Sequence, residues 1–344
     1  SKGLANLDVL FEEINKKIMK TTRLDYLDAI AGLLIVRMIL GHLFQCCLLT
    51  ETETYWWMNT VFSFFMPWFF YKSGMLFVIS VGGVNDCNSI FYIKLRGRKI
   101  LLPWLSFSLL SLAVVLVVLV IKGDTSLVHY IAPIKSLFMF GAISTNLPLW
   151  FLLTLFIVYV LNFFITKYKV NRIVVAVACV ALAALFQYVG FKYPATITSS
   201  LLGLSFYQLG YLLKKKQFDR KFIIAISVIG IVPMCVCPSV TDVCTNSNKY
   251  GLYVIWYIYS LAAIVLINNL FKSIKYYSFP VLRYIGRNAI TFLVTHWIVR
   301  IIMLETLDTR GYEMFVLMCI VMATVLPVLS ELFNRDKLKV FIGK

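Results

Sequence analysis

Charged residues are scarce in this chain. Only 14% of its 344 residues are charged, and Asp and Glu together number 16, where a soluble domain carries about a quarter. That scarcity excludes an ordinary water-soluble fold of this length. Linkers are missing too: no stretch is rich in Gly and Ser, rich in Pro, or low in complexity, so nothing divides the chain. The eight cysteines lack metal-ligand spacing, and no metal site is expected. Cys46, Cys47, Cys179, Cys235 and Cys319 sit in or beside apolar runs and read as small hydrophobes. Cys237 and Cys244 flank a polar loop, where a disulfide is left open. Basic and aromatic residues do not interleave on a soluble face, which argues against nucleic acid despite a formal charge of +17.

Hydrophobic residues fill the space that charge leaves, at 60% of the chain. Ten apolar runs stand out, at 26–48, 59–80, 101–121, 147–166, 173–190, 197–213, 222–237, 250–270, 288–304 and 314–333. Each approaches the ~20 residues that cross a bilayer. The expected fold is therefore all-α, a polytopic transmembrane helix bundle of about ten spans embedded in lipid. Residues 1–25 are expected to be an N-terminal tail, 26–333 the membrane domain and 334–344 a C-terminal tail. The tail has no apolar h-region of a signal peptide; Leu10–Met19 reads as an interfacial amphipathic helix or as solvated chain. Tyr130–Phe140 is apolar but too short to span, and reads as re-entrant or interfacial. No internal repeat is evident.

The basic residues are unevenly placed. Of 33 Lys and Arg, 25 fall on tails and loops of one side, and 5 on the other. The positive-inside rule puts the 25, and with them both termini, in the cytoplasm. Arg37, Lys72 and Arg300 remain inside spans, where a charge costs about 2.5–3.5 kcal/mol at a helix centre. Arg300 is near the outer end of its span and can snorkel. Arg37 and Lys72 lie deeper and call for a buried partner, a water-filled cavity or an anionic ligand.

At ~100° per residue, Asp28 and His42 fall within about 40° of each other on the first span, and Ala31 lies almost directly below His42. Arg37 lies well off that face. His42 suits a general base, because imidazole titrates near neutrality; it equally suits a structural bond to a neighbouring helix. The second span contains Pro67, which is expected to kink it, and Lys72, placed to meet a ligand entering from the cytoplasm. The basic segment Lys94–Lys99 precedes Leu-Leu-Pro-Trp at 101–104. It reads as a membrane anchor or as a phosphate clamp, since Arg forks match phosphate oxygens.

These segments, in this order, resemble the membrane acyltransferase 3 family, which carries acetyl groups to sugars of surface glycans. The resemblance rests on Asp25-Tyr-Leu-Asp28 with Gly41-His42, on Phe64-Phe-Met-Pro67 through Ser73-Gly74, and on the basic run before Leu101-Leu-Pro-Trp104. Leu149-Trp-Phe-Leu152, Phe206-Tyr-Gln-Leu-Gly210 and Ile285-Gly-Arg-Asn288 through His296 extend it over residues 22–335. It implies a multi-pass protein of the inner (cytoplasmic) membrane, similar to standalone sugar O-acetylases. The implied donor is acetyl-CoA or another acyl-CoA taken from the cytoplasm, and the implied acceptor is a glycan or lipid-linked sugar. His42 matches the family's catalytic histidine, and Arg96 and Lys99 fall on its Arg-x-x-Arg pair. The family's basic residue eleven before the histidine is Ala31 here. Lys72, and secondarily Arg37, are expected to restore that charge. Arg96, Arg98 and Lys99 are candidates for the CoA phosphates, Asp28 for polar support of His42, and Trp150, His296 and Arg300 for the acceptor site. A homodimer is left open. The rival reading is a transporter or flippase of a glycolipid or small anion, which also wants buried charge and broken helices.

Overall fold

The computed structural model describes residues 24–80, 89–123, 126–214, 219–236, 243–244, 249–250, 252–274, 279–307 and 310–344. The expected tail before Leu24 and Cys237 lie outside them. The described chain is helical apart from one two-residue pairing, Val243–Cys244 against Lys249–Tyr250. Helices α1 (Asp25–Cys46), α2 (Glu53–Val61), α3 (Phe65–Ser80), α4 (Ser89–Ile121) and α5 (Leu127–Phe140) come first. A 3-10 turn, Ser144–Leu149, leads into α6 (Trp150–Lys167), α7 (Arg172–Tyr188), α8 (Ala195–Leu213) and α9 (Arg220–Val236). Then follow α10 (Tyr253–Ser273), α11 (Pro280–Arg287), α12 (Ala289–Thr306), α13 (Tyr312–Phe333) and a last 3-10 turn, Lys339–Ile342.

Among the described residues, 6 helical stretches are long and apolar enough to cross a membrane: Asp25–Cys46, Ile90–Ile121, Leu127–Lys167, Tyr253–Ser273, Ala289–Thr306 and Tyr312–Phe333. Helices α3, α7, α8 and α9 occupy the other expected runs without joining that set. Two are only 17 residues and α3 is 16, and α8 carries buried Thr198, Ser199, Ser200, Ser205 and Gln208. Large apolar side chains such as Val117, Val177 and Ile320 point outward, as they do where lipid rather than water is the solvent.

Three local expectations change. The run 59–80 is broken by a turn at residues 62–64. Pro67 therefore lies in the first turn of α3, where its missing N–H has no helical partner to lose, so no kink results. The basic segment 94–99 is helical, within α4. The short apolar stretch before Phe140 is a helix stopped by Gly141 at φ 74°. The 3-10 turn behind it is pinned to α12 by buried Asn146, whose amide donates to the Val294 carbonyl at 3.0 Å.

Lipid-embedded helices associate through close packing rather than hydrophobic burial, and here glycines permit it. A Cβ on Gly32 would stand 1.9 Å from the Leu282 carbonyl oxygen, and one on Gly286 would stand 1.8 Å from that of Asp28. Helices α1 and α11 thus cross backbone to backbone. Helices α3 and α8 do the same: a Cβ on Gly74 would meet the Tyr207 oxygen at 1.9 Å, and one on Gly210 the Tyr71 oxygen at 2.0 Å.

The basic segments gather at one end of the bundle. Arg287 meets Asp25 at 2.8 Å, Lys272 lies over Tyr26, and Gly343 packs on the Lys99 backbone. Arg96 lies over Tyr159 at 4.3 Å, and Arg172 bonds Gln208 at 2.6 Å. At the other end the Gly311 amide donates to the Cys47 carbonyl at 3.1 Å, and Lys122 pairs with Glu305.

Gly74→Ala and Gly286→Ala should each cost about 1–3 kcal/mol through forced separation of the crossing backbones. Gly97→Ala, whose Cβ would find its nearest neighbour at 3.9 Å, should cost nothing. Thermal unfolding of the three variants in detergent checks this.

Candidate functional site

A cavity of about 330 Å³ runs into the bundle from the basic end. Helices α1, α3, α4, α6, α11 and α12 supply its walls. Its polar end carries Asp28, Lys72, Arg287, Asn288 and Lys344. Its interior is apolar, with Ile35, Met38, Phe69, Phe151 and Leu293.

The charges at the polar end hold one another in place. Lys72 Nζ stands 4.0 Å from Asp28 Oδ1 and 3.5 Å from the Leu27 carbonyl oxygen. Arg287 Nε lies 3.5 Å from Asp28 Oδ2, while its Nη2 donates to Asp25 at 2.8 Å. That bond to Asp25 raises the Arg287 pKa further above its ordinary value, so its charge is permanent. Lys344 Nζ donates to Asn334 Oδ1 at 2.6 Å and to Asn288 Oδ1 at 3.2 Å. Three cations thus face this end beside one lining carboxylate, and the excess is positive.

Lys72 reaches the first helix from α3 beside Leu27 and Asp28, one turn before Ala31. Ala31 itself is fully buried and outside the lining. Arg96 flanks the cavity through Tyr159, a lining residue on whose ring it lies. Lys99 is partly buried and Arg98 exposed on the same helix.

The lining ends at Met38 and Leu293, four residues before His42 and three before His296, a rise of ~5–6 Å. There the two imidazoles stack, with ring centroids 5.5 Å apart and planes at 19°. Trp297 presents its edge to His42 at 5.0 Å, and Arg300 lies over that indole at 4.2 Å. The Phe292 carbonyl lies 3.0 Å from His296 Nδ1 and accepts its proton. His296 Nε2 is then an acceptor, buried and without a hydrogen-bond partner. His42 Nδ1 lies 3.2 Å from Gln45 Oε1.

The structure thus joins His42, His296 and Arg300 in one cluster, and Lys72 with Asp28 in another. Two expectations are corrected. Asp28 does not support His42: fourteen residues separate them, ~21 Å along the helix, and Asp28 is held by Lys72 and Arg287. Gln45 occupies the supporting place instead. Arg37 does not enter the cavity; it bonds Asn59 of α2 and lies over Phe65 at 4.1 Å. Trp150 is buried at the start of α6, and its neighbours Phe151 and Leu152 line the cavity. Arg287 and Asn288 stand in the Gly-Arg-Asn motif, a visible signal in the sequence. Lys344 has no such signal, because it reaches the site through the final 3-10 turn. Among the described residues no cluster of His, Cys, Asp and Glu fits a metal ion.

A family model described as an acyltransferase domain matches residues 24–331. No curated protein and no solved structure matches the chain.

Asp28→Asn should cost about 1–3 kcal/mol, because the two cations it faces lose their shared carboxylate at a mostly buried position. Adding Lys72→Met should cost less than the two single losses combined, since one unpaired charge goes with it. A double-mutant cycle read by thermal unfolding measures both.

Proposed function

The chain belongs to the acyltransferase family whose model it matches and is built as a multi-pass membrane protein, and on that premise we propose that it moves an acyl group, acetyl by family resemblance, from cytoplasmic acyl-CoA to a hydroxyl of a cell-surface or lipid-linked glycan. The observation that carries this reading is the cavity. It is cationic at one end, apolar along its length, and ends about one helical turn from a histidine pair.

In this reading the basic end faces the cytoplasm of an inner-membrane protein. Lys72, Arg287 and Lys344 meet the phosphates of the donor, with Arg96, Arg98 and Lys99 on the adjoining stretch of α4. Arg is suited to this because its guanidinium is planar and weakly hydrated. The thin pantetheine arm follows the apolar interior, where Met38 and Leu293 exclude water from the thioester. Acyl-CoA is a substrate here, and no resident cofactor or metal is called on.

The chemistry needs a base, an attacking oxygen and a leaving sulfur. His42 takes the proton of the acceptor hydroxyl through Nε2 as its oxygen attacks the thioester carbonyl. The tetrahedral carbon then expels the thiolate, which leaves as free CoA after gaining a proton. In this reading the buried acceptor atom of His296 and the cation of Arg300 hold the acceptor sugar.

His42→Ala should lower release of CoA thiol at least 100-fold, followed with a thiol reagent on purified protein given acetyl-CoA and envelope glycan extract. Thiol release unaffected by that variant removes His42 as the base, and release from neither protein moves the chain to the transporter class. Lys72→Met should raise KM for acetyl-CoA about tenfold, the loss of one charge-assisted contact. An unchanged KM and turnover would remove Lys72 from the donor site.

A further inference from the structure

An imidazole acts as a base through one nitrogen only, and the partner of the other nitrogen decides which. For His42 that partner is Gln45. Nδ1 faces Gln45 Oε1 at 3.2 Å, and Gln45 Nε2 donates to the Tyr55 hydroxyl at 3.0 Å. The ring plane is set independently, by the stack on His296 and the edge of Trp297. With the plane fixed, the tautomer is what remains to be chosen.

Tyr55 belongs to α2, a nine-residue helix capped at its start and tied to α1 toward its other end. At its start Thr52 caps it: the Tyr55 amide donates to Thr52 Oγ1 at 3.2 Å, and that hydroxyl donates to the Leu49 carbonyl at 2.8 Å. Toward its other end, Asn59 accepts from Arg37. Tyr55 and Asn59 are four apart and so share a face. They meet Gln45 and Arg37, which lie three residues after and five before His42 on α1. The Phe44 ring packs 5.9 Å from that of Tyr55.

We propose that Gln45 and Tyr55 are positioning residues which hold His42 in the Nδ1–H tautomer and leave Nε2 free to accept the proton of the acceptor hydroxyl. This rests on His42 being the base. In the observed orientation the Tyr55 hydroxyl accepts a hydrogen bond from the Gln45 amide, and the Gln45 oxygen faces the ring. The groups facing His42 that carry or change charge are Arg37 on its own helix, Tyr55 on α2, and His296 and Arg300 on α12. None of them occupies Nδ1.

The test uses membrane vesicles containing the full chain, radiolabelled acetyl-CoA as donor, and label in the glycan fraction normalised to folded protein. Gln45→Leu should lower turnover about tenfold or more, with KM for acetyl-CoA unchanged. Gln45→Glu should keep most of the turnover, because a carboxylate also accepts from Nδ1–H. It should also move the acid limb of the pH–rate profile upward, because it strengthens the base. Tyr55→Phe should fall between wild type and Gln45→Leu. An unchanged turnover in Gln45→Leu overturns the proposal. So do equal losses in the Leu and Glu variants with no movement of the acid limb, the signature of a merely structural role. Activity surviving in His42→Ala overturns the base reading itself, and is separable because it leaves the Gln45 variants without a ring to orient.

Discussion

Two backbone crossings without side chains between them govern this bundle. Helix α1 touches α11 at Gly32 and Gly286, and α3 touches α8 at Gly74 and Gly210. In lipid, apolar side chains gain little by leaving the solvent, so contact distance takes over the work that burial does in water. The crossings also place charge. Gly286 immediately precedes Arg287, and Gly74 lies two residues after Lys72. Separating either pair of backbones would move a cation at the cavity's polar end. The same residues therefore serve packing and position.

A second theme is how few carboxylates manage so many cations. Asp25 takes Arg283 and Arg287, and Asp28 takes Lys72 and Arg287. Two acids in the first turn of α1 thus orient three basic side chains from two other helices. They also suit the positive end of that helix's own dipole. The pairing fixes geometry without neutralising the cavity's polar end, where Lys344 adds a further positive charge.

Much of this was legible in the sequence. Run lengths and the lopsided basic residues pointed to a helical membrane bundle; the signatures at Ser73-Gly74 and Gly286-Arg287-Asn288 fell at the cavity or its crossings, and the one at His42 about one helical turn beyond the lining. Periodicity misled where it treated one helix in isolation. Asp28 and His42 share a face of α1, yet their separation along the axis makes that face two different places. Arg37 was marked by its cost in hydrocarbon, but that cost is met by Asn59 and Phe65, which only tertiary packing supplies. Gln45 escaped notice because a polar residue near a helix end is ordinary until Tyr55 returns to meet it. Pro67 misled because the turn before α3 has no strong signal among the aromatics at 62–65.

The placement of Lys72 has a consequence for how such proteins are compared. Its ammonium stands beside the carbonyl of Leu27 although it belongs to another helix, one whose own register is set by a glycine contact with α8. A pattern written along α1 alone records an alanine and scores the position as uncharged. A pattern written as a volume, indifferent to which helix reaches into it, records a cation one turn away, beside Leu27 and Asp28. Position in the chain and position in the site are separate coordinates, and for a bundle of crossing helices only the second tracks electrostatic potential.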